Sequence, residues 1–237
     1  MEPCKKFPTP DCHQCVLRAL TPFCGALNSR EMDAFMKIKR GHAYEKNQAI
    51  FYEGNSCEGI YVLCSGSVKL VQSSKSGQQQ ILGIVSPGDL VEKSFLLHPG
   101  RHASTAEALE KSEVSFFHRE EFLDVLKTNS HLAVNLISVL SREVESGRER
   151  NRQLAFKSAK RRLADILLDL GRSHGMKENG ATVIKIQLKR EELAGMAGVT
   201  QETVVRLLGS LNKEKLIRLV GKKILILDEE RLNQIRD

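Results

Sequence analysis

Residues 190–211 read Arg190-Glu-Glu-Leu-Ala-Gly-Met-Ala-Gly-Val-Thr-Gln-Glu-Thr-Val-Val-Arg-Leu-Leu-Gly-Ser-Leu211. Ala194 is small where two helices must cross closely, Gly198 four residues later supplies a left-handed turn, and Thr200 is an N-cap for a second helix. Val204, Leu207, Leu208 and Leu211 fall on the inner face of that helix. Gln201, Glu202, Val205 and Arg206 are then presented outward near its N-terminus, where a recognition helix meets the major groove. Arg206 can bond guanine O6 and N7 together, and Glu202 can accept from the cytosine N4 amino group, so the two can read adjacent steps. The same spacing also suits a solvated face carrying an i,i+4 ion pair. The turn, the cap, the basic balance and a lysine-bearing wing together favour DNA.

Working outward, a hairpin of Ile217–Val220 and Ile224–Leu227 turns through Gly221-Lys222-Lys223, which places Lys222 and Lys223 at a wing. Upstream lies a predicted strand, Val183–Leu188. Before it, Ser158 caps a predicted helix, Leu163–Leu170, ended by Gly171 and by a loop from Gly175 to Gly180. Further upstream, Ala133, Ile137, Leu140, Val144, Gly147, Asn151 and Leu154 repeat with alternating spacings of four and three, the a/d register of a coiled-coil seam flanked by charged residues. The seam weakens at Gly147 and Asn151, which makes dimerisation regulable. An amphipathic helix packed on its own sheet is the competing reading.

Residues 41–117 change character. Short apolar runs (Ala49–Tyr52, Gly59–Leu63, Ser67–Val71, Gln80–Ile84 and Glu113–Phe117) alternate with turn signals such as Glu53-Gly54-Asn55, Ser65-Gly66 and Pro87-Gly88-Asp89, as in an antiparallel sandwich, barrel or roll. Asn28 caps a short amphipathic helix, Ser29–Ile38. Residues 1–27 hold four of the six prolines and four of the six cysteines, Cys4, Cys12, Cys15 and Cys24. They read as a loop-rich appended arm. The expected division is an arm at 1–27, a sensor domain at 28–128, a dimerisation helix at 129–157 and a DNA-binding domain at 158–237.

The chain has 237 residues, 41% hydrophobic and 27% charged, with 36 Lys and Arg against 29 Asp and Glu. Its mean hydropathy is −0.27 and its pI about 9.1. No apolar run approaches the ~18 residues of a membrane helix. Six cysteines are too few for a disulfide scaffold. The net charge of +7 suits a polyanionic partner. With Pro and Cys in Met1–Lys6 and no apolar h-region, a cytoplasmic protein is expected. No Walker loop, Gly-x-Ser-x-Gly, His-Glu-x-x-His or carboxylate pair is found, which leaves an enzyme as the weakest reading.

A β-roll, a long helix and a winged helix-turn-helix carrying Gln201-Glu202-Thr203-Val204-Val205-Arg206 together resemble the family of the cyclic-AMP receptor protein and the fumarate and nitrate reduction regulator. The resemblance implies an α+β protein, a cyclic-nucleotide-binding-like roll, a homodimer on palindromic double-stranded operators, and RNA polymerase as a partner. It also implies that Glu202 and Arg206 are the shared base readers, while Gln201 and Val205 fall where subfamilies differ. In nucleotide-binding members a Gly-Glu pair and an Arg clamp the cyclic phosphate. Here Glu92-Lys93 follows Gly88-Asp89-Leu90-Val91, and His102 or Ala103 stands at the arginine position with Arg101 out of register. No cyclic nucleotide is therefore expected.

Gly88-Asp89-Leu90-Val91 with Ala106-Glu107-Ala108-Leu109-Glu110 is more similar to the oxygen-sensing subfamily. That resemblance implies a [4Fe-4S] cluster held by three arm cysteines and one from the roll. Thiolates are the soft ligands such a cluster needs, and Cys12-His13-Gln14-Cys15 with Cys24 offers three. Ser115 occupies the roll position, so Cys4 is the expected fourth ligand, with Cys57, Cys64 or Asp11 behind it. Zinc on the same cysteines, a reversibly oxidised thiol pair, a metal-free arm, or a small molecule or haem in the roll on His42, His98, His102 or His118 are the alternatives.

Overall fold

The computed structural model describes residues 12, 13, 15, 27–73, 79–92, 100–178 and 180–235. It forms two compact units, one of residues 1–72 with 83–145 and one of residues 73–82 with 146–237.

In the first unit, helix α1 (Ser29–Lys37) starts at Asn28, whose side chain accepts from the Glu31 amide while Glu31 accepts from the Asn28 amide. Strands β1 (Lys39–Tyr44), β2 (Ala49–Phe51), β3 (Gly59–Ser65), β4 (Val68–Ser73), β5 (Gln79–Val85), β6 (Leu90–Glu92), β7 (Thr105–Ala108) and β8 (Ser112–His118) follow, with Ser73 and residues 79–82 of β4 and β5 counted in the second unit. They make two four-stranded sheets, ordered β1-β8-β3-β6 and β2-β7-β4-β5. The apolar runs expected as strands are present, whereas β1, β6 and β7 add strands that no run announced. Their short or polar sequences owe their extended form to pairing, as in the register Lys39↔Phe117 to Tyr44↔Ser112.

Side chains alternate across the first sheet. Leu63 and Val114 face the second sheet, where Phe51, Val68, Val85 and Ala106 complete an inner core. Ile60, Val62 and Phe117 face the other way, onto α1, α2 (Arg119–Thr128) and the start of α3 (Ser130–Phe156). Phe35 of α1 stacks on Phe117 at 4.0 Å between ring centroids, and Phe122 of α2 closes the group. Such an aromatic pair contributes about 0.5–1.5 kcal/mol beyond its area burial. The turn before β4 requires glycine. Gly66 has φ 86, and a Cβ there would lie 2.6 Å from the Lys111 carbonyl.

The 27-residue α3 carries two apolar stripes. Leu132 and Leu136 are buried against the first unit's core, and Leu140, expected in the seam, also packs partly onto it. Ile137 and Val144 stand 61% and 56% exposed. The first part of α3 is thus packed on its own sheet while the expected seam remains open along a different face.

The second unit contains α4 (Ala159–His174), β9 (Gly175–Glu178), β10 (Ala181–Ile184), α5 (Arg190–Ala197), α6 (Gln201–Lys213), β11 (Ile217–Val220), β12 (Lys223–Ile226) and α7 (Glu229–Asn233). Ser158 caps α4 as expected, accepting from the Arg161 amide. Four expectations are corrected. Gly171 does not end the helix, which runs on to His174. The supposed Gly175–Gly180 loop is largely β9, paired with β10. The predicted strand Val183–Leu188 lies earlier, at Ala181–Ile184, and the hairpin's second strand begins at Lys223. The wing is accordingly the edge of a four-stranded sheet, β11-β12-β10-β9. No helix among the described residues is long and apolar enough to cross a membrane.

Candidate DNA-reading helix and sensor arm

The candidate DNA-reading element is assembled from local signals. Glu192 accepts from the Lys189 amide at 2.6 Å and starts α5. Gly198 turns left-handed at φ 63, ψ 44, and the Val199 amide donates to the Ala194 carbonyl at 3.1 Å. Thr200 Oγ1 then accepts from the Thr203 amide at 3.3 Å and caps α6. Val204, Leu208 and Leu211 bury their side chains, Leu207 is half-buried, and Gln201, Glu202, Val205 and Arg206 are exposed. The face of α6 expected to read bases is therefore open.

The Glu202 backbone amide and the Thr200 hydroxyl hold the Glu202 carboxyl below its ordinary range, so it is ionised and acceptor-only at neutral pH. No Glu202–Arg206 ion pair forms among the described residues, so the solvated-pair reading has no support in this geometry. Behind the turn, Arg162 of α4 donates from Nε to the Ala197 carbonyl at 2.9 Å and from Nη1 to the Lys157 carbonyl at 2.7 Å. This satisfies carbonyls at the ends of α5 and of the long helix with one guanidinium. Lys222 lies in the wing turn and Lys223 opens β12, both exposed.

Along α3, Ala133 is half-buried, while Ile137, Val144, Asn151 and Leu154 are exposed to differing degrees. Leu154 points its Cδ2 toward Gly198.

At the arm, Cys12 and Cys15 are described, whereas Cys4, Cys24 and Asp11 lie outside the described residues. Cys12 Sγ accepts from Lys39 Nζ at 3.2 Å and packs against the first unit's core. His13 Nε2 lies 2.9 Å from Asp33 Oδ1 of α1. The Cys-x-x-Cys segment is thus attached to β1 and to α1. Cys64, expected only as a reserve ligand behind Cys4, holds its Sγ 2.9 Å from Ser115 Oγ. Burial pushes the Cys64 thiol up; the Ser115 hydrogen bond and the Lys39 charge oppose this, and Cys12 adds to the rise. Cys57, by contrast, is enclosed in the core with its thiol toward the Gly59 carbonyl. Among the described residues, no three His, Cys, Asp or Glu side chains are grouped so as to hold a metal ion.

In the roll, Arg101 is exposed, and its Nη1 donates to the Gly54 carbonyl at 2.6 Å. His102 is buried and stacked on Phe51 at 3.8 Å, with Tyr61 at 6.0 Å. Ala103 is exposed and Ser104 buried. His42 is exposed and His118 half-buried, while Lys93 and His98 lie outside the described residues.

Two family models match the chain, a cyclic nucleotide-binding domain over residues 42–129 and a Crp-like helix-turn-helix domain over residues 161–235. Electron transport regulator A of Shewanella oneidensis is 32% identical over 228 residues, which span 94% of this chain and 88% of that protein. The cyclic AMP receptor protein of Thermus thermophilus is 30% identical over 199 residues, spanning 84% and 89%. The structure of the c-di-GMP responsive global regulator CLP of Xanthomonas campestris superposes with a TM-score of 0.74, covering 84% of this chain and 99% of its own. At 19% identity that last likeness concerns the fold alone.

Proposed function

Because the chain belongs to the CRP/FNR family of transcription regulators, we propose that it binds palindromic operators as a homodimer and answers oxygen, nitric oxide or redox state through its arm cysteines. It is a DNA-binding transcription regulator, not an enzyme. The observation that carries the DNA half of the proposal is the exposed, capped N-terminus of α6 with Glu202 and Arg206 on its open face. Lys222 and Lys223 add backbone contacts from the wing, and Gln201 and Val205 meet the outer bases. The open Ile137–Val144 stripe is the dimer seam.

For the sensing half, the supporting observation is the seating of Cys12 beside Lys39 on the roll. Cys12, Cys15 and Cys24, with a fourth donor, suit a [4Fe-4S] cluster by softness, and Lys39 offsets the charge of a thiolate-rich site. Such a cluster, when bound, supplies a centre sensitive to oxygen. The chain's own residues hold it and transmit its presence through α1, which packs on the same core as the start of α3. The functional division is arm 1–27, roll 28–128, helix 129–157 and DNA-binding domain 158–237.

The roll takes no cyclic nucleotide in this reading, since Glu92-Lys93 stands in place of the Gly-Glu pair and Arg101 is out of register with the arginine that clamps the cyclic phosphate. The regulator works in the cytoplasm with RNA polymerase as partner. The same Cys12–Lys39 contact suits a second reading, a thiol or zinc switch. Purification without air separates them: visible charge-transfer absorbance with iron and sulfide supports the cluster, zinc alone or a metal-free reversible thiol the second, and a Soret band haem in the roll. Operator binding before and after air exposure tests whether the centre controls DNA.

A further inference from the structure

We infer that Val205 reads the C5-methyl group of a thymine, an inference that rests on the DNA-reading role of α6 proposed above and names a base for it. Successive turns bring Gln201, Glu202, Val205 and Arg206 to the exposed side of α6, while Val204, Leu208 and Leu211 face the core of their own unit. Val205 is 53% exposed. It stands three residues after Glu202 and one before Arg206, between the two side chains that offer polar contacts to base edges. Gly209, a turn further along the same face, adds no side chain that could cover it, and a Cβ there would meet nothing within 4 Å. An apolar, branched side chain is thus held open in the middle of an otherwise polar reading face.

The chemistry of the groove selects its partner. Base edges in the major groove carry hydrogen-bond donors and acceptors, with one apolar group among them, the thymine methyl. Valine has no hydrogen-bonding atom, so against guanine, adenine or cytosine it would displace water from polar edge atoms and return no bond. Against thymine its methyl groups bury another methyl. The side chain is also stiff, because a β-branched residue in a helix keeps essentially one χ1 rotamer, and contact therefore freezes little motion. A thymine is accordingly expected at a base pair neighbouring those read by Glu202 and Arg206, once in each half of the palindrome.

The test uses the full-length protein and duplex DNA at one fixed salt concentration. The wild type first selects its operator from random-sequence duplexes. Each thymine of the selected site is then replaced by deoxyuridine, which deletes the C5-methyl and keeps the base pair. One position per half-site is expected to respond, with affinity falling about fourfold for each half-site, as the loss of one buried methyl implies. Val205→Ala removes an exposed side chain and favours helix, so it should fold and bind random duplexes as the wild type does. On the selected site it should lose most of the deoxyuridine response. A selected site in which no thymine responds, or a response of equal size in Val205→Ala, overturns the assignment and leaves the reading by Glu202 and Arg206 standing. A wild type that selects no preferred sequence overturns both.

Discussion

Gly198, at the left-handed turn between α5 and α6, lies against Leu154 near the end of α3: a Cβ on Gly198 would come within 3.1 Å of Leu154 Cδ2. The turn thus combines a backbone conformation that disfavours any side chain with a neighbour that leaves little room for one. Gly198→Ala should destabilise the second unit by about 1–2 kcal/mol, from the left-handed backbone alone. A fall of several degrees in its melting temperature, read by circular dichroism, is the expected result. Unchanged melting would mean that the turn relaxes away from φ 63.

Arg206→Ala should weaken operator binding by about 1–3 kcal/mol and relax preference at one guanine, because a two-bond base contact is lost while phosphate contacts remain. Lys222→Ala should instead weaken matched and random DNA alike and reduce the salt dependence of binding by roughly one phosphate. Titrations on matched and substituted palindromes at several salt concentrations separate the two. Equal losses on specific and random DNA for Arg206→Ala would reassign it to phosphate.

Ile137 and Leu136 are neighbours in sequence with opposite fates, 61% and 4% exposed. Ile137→Asp should therefore leave the fold intact and shift sedimentation toward monomer, with loss of palindrome binding. Leu136→Asp should lower thermal stability, since it buries an unpaired charge. Leu140→Asp mixes both effects because Leu140 packs partly on its own core. An unaltered dimer in Ile137→Asp would rule out the α3 seam.

Burial pushes the Tyr61 phenol up to about 12, from an ordinary 10. Because the folded form favours the protonated phenol, this group's contribution to stability is complete below pH 10 and is lost as the pH rises toward 12. Ultraviolet titration should show one of the three tyrosines ionising late, and Tyr61→Phe should remove that late step. A late step that survives in Tyr61→Phe would place the buried phenol elsewhere.

The helix-turn-helix was legible because its signals are local. Gly198, Thr200 and the inner-face residues Val204, Leu208 and Leu211 each act within one or two turns of chain, and the structure puts each where its chemistry predicts. The resemblance built on Gln201–Arg206 led to the family that the chain's relatives bear out. Gly171 shows where local reasoning fails. It reads as a helix stop, yet α4 continues through it, and a Cβ there would lie 2.8 Å from Ile226 Cδ1. This glycine permits close helix-on-sheet approach, and its partner lies 55 positions further along the chain.

The sequence by itself determined the order of the parts: a cysteine-bearing arm, a strand-rich domain, a long helix, and a helix-turn-helix with a wing. Each depends on periodicity, capping or turn chemistry between residues close in the chain. Only the tertiary structure decided that Lys39–Tyr44 and Thr105–Ala108 become strands, since short polar segments extend only when a neighbouring strand takes up their hydrogen bonds. It likewise decided which stripe of α3 is buried, because two apolar faces on one helix compete and only packing chooses between them. The placements of Cys64 beside Ser115 and of Cys12 beside Lys39 belong to the same class: strand pairing and the seating of the arm bring those residues together, and neither is encoded in the spacing of cysteines along the chain.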